Sequence, residues 1–466
     1  MHPKIIQGGM GIAVSQWKLA KAVSQIGHLG VVSGTGLDNV VTRRLQDGDL
    51  DGSIRRALEH FPVAEWAQSM LKTYFRPEGR QGQPYRRVPL HKGLGHFPTQ
   101  MLTVLSAFVE VFLAKEEHLG KIGINLLTKI QTHTLPSLYG AVLAGVDYVL
   151  MGAGIPRQIP EVLDQFAQGE PASLKLEVVG ANPDASFHLE FDPSAIGMQL
   201  TRKRPDFLPI VSSNALATML ARKSPGSITG FIVEGPTAGG HNAPPRGKLT
   251  LDDRGEPIYG EKDTVDLEQL KALGLPFWLA GSMGSPEALR HALSQGAEGI
   301  QVGTLFAYTQ ESGFSPELKS EVLAQVQAGS AHVKTDVRAS PTGFPFKVVG
   351  IPGTLSSEDV YLERKRVCDI GYLREACITP AGKLDFRCPA EPTDTYIAKG
   401  GASEDAVGRK CLCNALMSSV GLGQIQRSGV EPSLVTSGDD LVEMGPFLNR
   451  YGTHYTAKDV IDYLEG

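Results

Sequence analysis

The chain has no basic excess. Its 45 Lys and Arg against 50 Asp and Glu leave a formal net charge of −5, so no nucleic-acid partner is expected. The basic runs at Arg202–Arg204 and Arg364–Arg366 read as solvated faces. Long hydrophobic runs are missing too. The apolar stretch Met101–Ala114 is too short to span a bilayer and carries Glu110, so no membrane partner is expected. The opening MHPKIIQGGM passes straight into an apolar strand without a charged region and hydrophobic block, which reads as a cytoplasmic protein. Cysteine is scarce: Cys368, Cys377, Cys388, Cys411 and Cys413 all fall in the last quarter, an odd number that argues against a disulfide scaffold. RCPAEP and GRKCLCN could bring Cys388, Cys411 and Cys413 together with Cys368, a set that would suit zinc or an iron–sulfur cluster. No CxxC pair is present, however, and Cys-x-Cys in a compact tail reads as buried thiols. No metal site is expected. Neither a coiled coil nor another assembly motif appears, which leaves a homo-oligomer open.

What is present is a rhythm of short apolar runs ending in small or polar residues: Ile5–Gly8, Leu29–Gly34, Ile122–Leu126, Tyr148–Gly152, Leu208–Ser212, Phe231–Gly235, Phe277–Gly281 and Gly299–Gly303. Helix-compatible segments lie between most of them, among them Trp17–Gln25, Leu138–Ala144, Ala215–Arg222 and Pro286–Gln295. Such alternation predicts a parallel sheet covered by helices. Eight units favour an α/β fold closed into a (β/α)8 TIM barrel over residues 1–339, with an open doubly wound sheet as the alternative. Two insertions interrupt the rhythm. Asp47–Gly120 predicts added helices after the second strand, and Leu174–Pro209 an accessory hairpin or small subdomain. From Ser340 to Gly466 the pattern becomes turns and extended chain, a Cys-bearing C-terminal extension with a final helix over Ala457–Leu464.

In a barrel the chemistry belongs at the carboxyl ends of the strands. The sixth strand, GFIVEG, runs into PTAGGH, where Gly239 and Gly240 would let a bulky planar ligand approach the backbone. His241 would then sit at a strand end, where an imidazole can move a proton near neutral pH. Glu234 on that strand could accept hydrogen bonds from a heterocycle or pair with a basic neighbour. Pro244 and Pro245 would stiffen the loop, and Arg246 could attract an anion. After the first strand, the amides of Gly9, Met10 and Gly11 could face a ligand. Asn125 stands in the third strand as a polar residue among apolar ones, either a satisfied buried amide or a ligand contact. After strands seven and eight come Gly281–Ser282 and Gln301–Val302–Gly303–Thr304, glycine-flanked amides and small hydroxyls of the kind that bind phosphate in barrels.

In order and combination, IIQGGMG, GINLL, the AGGH loop, AGS and QVGT resemble the nitronate monooxygenases, the 2-nitropropane dioxygenase-like proteins, over about Ile5 to Phe346. The same fold and loops occur in flavin-dependent enoyl reductases, including those of polyunsaturated fatty acid synthases. The resemblance implies an FMN-dependent (β/α)8 enzyme. Asn125 and Glu234 would contact the flavin, the latter where family members more usually have glutamine. Gly239 would allow close approach to the isoalloxazine ring, Gly281 and Gln301–Thr304 would hold the phosphate, and His241 would be the catalytic residue. Two reactions follow: oxidation of an alkyl nitronate with O2 to a carbonyl compound and nitrite, or NAD(P)H-dependent reduction of an enoyl thioester. A non-catalytic flavin- or metal-binding redox module is the third reading.

Overall fold

The structure, a computed structural model, describes residues 2–91 and 94–466. Eight parallel strands close into a barrel: β1 (Ile5–Gln7), β2 (Leu29–Ser33), β3 (Ile122–Leu127), β4 (Tyr148–Gly152), β5 (Asp206–Val211), β6 (Phe231–Glu234), β7 (Phe277–Ala280) and β8 (Gly299–Val302). Each pairs with its neighbours in sequence order, and β8 returns to β1 with Ile5 opposite Ile300. Their apolar runs are nearly continuous because side chains are covered on both faces. Ile6, Val31, Leu150, Leu208, Ile232 and Trp278 fill the interior, and the Trp278 indole donates to the Pro3 carbonyl at 2.7 Å. The chain is thus the expected (β/α)8 TIM barrel.

The first insertion contributes helices Ser53–Glu59, Ala64–Tyr74 and Phe97–Lys115. The last is longer than its apolar segment suggested. At 19 residues it is long and apolar enough to cross a membrane, yet most of it is buried within the fold, against helices Leu37–Gln46 and Gln131–Leu143. Its Glu110 carboxylate binds Arg44 at 2.7 Å and the amide of Trp17 at 3.0 Å, so it is a core helix. In the second insertion Ala172–Leu176 and Phe187–Phe191 form an antiparallel hairpin.

The chain beyond β8 wraps back over the barrel. Val333–Asp336 pairs with Phe346–Val349 across position 340. A second hairpin, Glu375–Ile378 with Leu384–Arg387, accepts Val178–Val179 as a third strand. The final helix, Ala457–Glu465, opens on a capping box of Thr456 and Asp459. It buries Val460, Ile461 and Leu464 between helices Trp17–Gln25 and Pro286–Ser294, and so completes the outer ring.

Candidate active site at the barrel mouth

The loops at the carboxyl ends of the strands surround a cavity that offers about 200 Å³ to the centre of a water-sized sphere. Gly9–Gly11, Asn125, Glu234, Gly239–His241, Gly281–Ser282 and Gln301–Thr304 all line it. Closed topology forces this convergence, because each strand delivers its loop to the same rim.

The floor is built by close approach. A Cβ on Gly9 would lie 2.3 Å from the Asn125 Cβ, so only glycine lets β1 and β3 meet there. Asn125 Nδ2 donates to the Gly9 carbonyl at 3.2 Å. Its Oδ1 and the Oε1 of Gln301 are buried with no hydrogen-bond partner. Orphaned buried acceptors cost stability unless a ligand supplies donors.

Glu234, at the end of β6, forms no ion pair among the described residues. Desolvation raises its carboxyl to about 8, so at neutral pH it is largely protonated and can donate a hydrogen bond as an amide does. Desolvation pushes His241 the other way, down to about 4, and the imidazole is neutral. His241 Nε2 meets Ser340 Oγ at 2.7 Å, and that hydroxyl contacts Thr342 Oγ1 at 2.8 Å. The backbone of His241 bridges to Phe346, Lys347 N donates to the Gly240 carbonyl and Asn242 N to that of Pro345. The ring packs edge-on against Phe346. The strand beyond position 340 therefore fixes the histidine loop.

Four expectations need correction. The Met10 amide donates to Ser15 Oγ at 2.7 Å, so it is not free for a ligand. The close approach at Gly239 is made by protein. A Cβ there would stand 2.8 Å from the Ser437 carbonyl carbon and 2.9 Å from the Gly438 nitrogen. The Thr304 hydroxyl is engaged by Asp440 Oδ1 and the Gly438 amide and is not free for a phosphate. Arg246 donates to the carbonyls of Lys262 and Ser212 and lies outside this cavity. In the turn after β7, Gly281 and Ser282 have φ of 94° and 51°, and Ser285 caps the helix that begins at Pro286.

Sequence reasoning missed the roof. Tyr372, Leu373, Leu412, Cys413, Leu416 and Thr436–Gly438 with Asp440 all come from the extension. The Gly240 amide donates to Thr436 Oγ1 at 2.9 Å, and buried Lys347 holds Asp439 at 2.6 Å. Burial raises the Asp440 carboxyl, which lessens its charge beside any anion at this end. Behind the roof, Tyr372 donates to Asp38 at 2.7 Å and stacks on His133, whose ring lies 3.9 Å from that of His91 at a tilt of 49°. Desolvation lowers His91 to about 3 and drives His133 well down and Asp38 up. Both imidazoles are neutral, and the cluster supports the wall. No local signal joins such distant residues.

Comparison with known proteins bears on this site. Residues 161–341 match the family model described as nitronate monooxygenase. That segment is similar to the nitronate monooxygenases. The matched segment runs from the helix after β4 through the histidine loop and both glycine turns to Pro341, in agreement with the resemblance read from the loops. A protein described as "Probable nitronate monooxygenase" from Bacillus subtilis (strain 168) is 32% identical over 97 residues, which is 21% of this chain and 26% of that protein. The chain therefore spans about a quarter of the length of that curated relative. FabK from Thermotoga maritima superposes with a TM-score of 0.50 at 16% identity, covering 99% of this chain and 91% of that one, a likeness of fold. Nitroalkane oxidase from Streptomyces ansochromogenes gives 0.45 at 14% identity, covering 99% and 94%.

Proposed function

We propose that the protein is an FMN-dependent oxidoreductase that oxidises alkyl nitronates with O2 to carbonyl compounds and nitrite. The observation that carries this reading is the pair of orphaned acceptors, Asn125 Oδ1 and Gln301 Oε1, on the floor of a cavity rimmed by glycine turns and a neutral strand-end histidine. A flavin ring carries an N–H donor of the kind such acceptors lack. FMN, when bound, supplies the electron acceptor for the reaction. Asn125, Gln301 and protonated Glu234 would hold its ring, and the turns at Gly281–Ser282 and Gly303 its phosphate end, with backbone amides rather than the Thr304 hydroxyl.

His241 binds and orients the anionic nitronate by donating a hydrogen bond. A base of pKa near 4 is a poor proton acceptor at neutral pH, so the substrate is the preformed anion rather than the neutral nitroalkane. The Ser340–Thr342 hydroxyl pair holds the ring, and the extension over the mouth excludes water. The apolar part of the lining, Ile12, Phe346, Leu412 and Leu416, also suits an acyl chain and sustains the second reading, an NAD(P)H-dependent enoyl thioester reductase.

An anaerobic visible spectrum of the purified protein, titrated with an alkyl nitronate and separately with NADPH, tests both. Bleaching by nitronate alone is expected. Bleaching by NADPH alone, with alkene consumption, would replace this reading with the reductase. No flavin band after FMN is supplied would remove both.

A further inference from the structure

Four of the five cysteines gather around one point, although the spacing of their codons in the chain gave no metal signature. Cys368, Cys388, Cys411 and Cys413 line a single small void behind the roof of the main cavity. They arrive from three segments: the loop before Glu375–Ile378, the end of Leu384–Arg387, and the start of helix Leu412–Ser419. All are free thiols. Cys377, the fifth, does not line the void and points at the Lys399 carbonyl instead.

The sulfurs have polar company. The Asn414 side-chain nitrogen donates to Cys411 Sγ at 3.6 Å, Cys411 Sγ in turn faces the Val367 carbonyl at 3.7 Å, and the backbone amides of Ala390, Tyr372 and Leu373 lie near Cys388 and Cys413. A neutral thiol is a weak acceptor that does not require such company. Thiolates on iron do, and hydrogen bonds to their sulfurs tune such centres. Positive charge is also at hand. Arg374 lines the void and faces Cys368, and Arg364 faces Cys411. The one carboxylate on the lining, Glu391, is paired with Lys399 at 3.0 Å.

We infer that Cys368, Cys388, Cys411 and Cys413 bind an iron–sulfur cluster of the [4Fe–4S] type. Spacing selects it over a single ion. One zinc about 2.3 Å from each of four thiolates draws the sulfurs to within about 4 Å of each other. Among the described residues no three of these sulfurs lie within 4.8 Å of one another, and a cubane holds its thiolates farther apart than zinc does. The void measures about 10 Å³ on the scale used for the main cavity, so the side chains turn outward as their protons leave and the cluster enters. Leu373, Leu412 and Cys413 line both spaces, which places the cluster one side-chain layer from the proposed flavin site. The site lies beyond the segment that matches the family model, and the inference stands whether or not the flavin reading holds.

The test is iron and acid-labile sulfide analysis of the full chain purified without oxygen, with low-temperature EPR after dithionite reduction. About four of each per chain and a reduced-cluster signal are expected in the wild type and in Cys377→Ser. Cys388→Ser and Cys411→Ser should each lose at least half of the iron. Should those variants fail to fold, the wild-type analysis still decides. Less than half an equivalent of iron after reconstitution with ferrous iron and sulfide, one equivalent of zinc in its place, or equal iron in every variant would overturn the assignment.

Discussion

Replacing Glu234 with glutamine should stabilise this protein, increasingly as pH rises from about 4.5 to about 8. The carboxyl is raised from 4.5 to about 8 in the fold by desolvation. Between those values the folded chain holds a proton that the unfolded chain has released, so stability falls as pH rises. Each pH unit of that window is worth up to about 1.4 kcal/mol, a ceiling of roughly 5 kcal/mol. Glu234 lines a cavity that water can enter, and screening there reduces the effect to about 1–3 kcal/mol. His241 acts in a lower window and with the opposite sign. Lowered from 6.5 to about 4, it makes stability rise with pH until about 6.5. In the wild type the two slopes oppose each other between 4.5 and 6.5, and a net decline follows up to about 8. Glu234→Gln should show the histidine rise and then a plateau. Urea unfolding of the flavin-free protein at half-unit steps from pH 5 to 9 measures this. Parallel profiles above pH 6.5 would mean that Glu234 is ionised in the fold, and its amide-like role at the cavity would fall with that.

Gly239→Ala should cost about 1–3 kcal/mol by overpacking against Ser437 and Gly438 and speed hydrogen exchange over 436–440. Gly240→Ala, at a φ of 80° with nothing within 4 Å, should cost about 1 kcal/mol from backbone strain alone, with exchange there unchanged. Asp439→Asn leaves the Lys347 ammonium, whose side chain is 3% exposed, without its counter-charge; the urea midpoint should drop by the equivalent of about 1–3 kcal/mol, and by less for Lys347→Met. His241→Ala should lower nitronate turnover by about 10²-fold or more while FMN remains bound; unchanged turnover would end its assigned role.

Much of this architecture can be read residue by residue. Strands covered on both faces must be apolar throughout and must end where the chain meets the rim, so runs such as FIVE and FWLA declared themselves. Their loops then had one place to go, which is why Asn125, Glu234, His241 and Gln301 could be grouped without coordinates. The pattern over Ala457–Leu464 marked the last helix in the same local way. What covers the rim was not legible. Thr436–Asp440 reaches Gly239, Gly240 and Thr304 across long stretches of chain, and Cys368 meets Cys411 only because a loop, the end of a hairpin and the start of a helix fold together. Protonation was hidden for the same reason, since Glu234 and His241 are shifted by burial that neither residue's neighbours in sequence supply. Hydrogen-bonding and side-chain periodicity act over a few residues and leave a pattern in the sequence. Packing between distant segments leaves none, and here it alone decided which glycines, amides and hydroxyls remain free at the site.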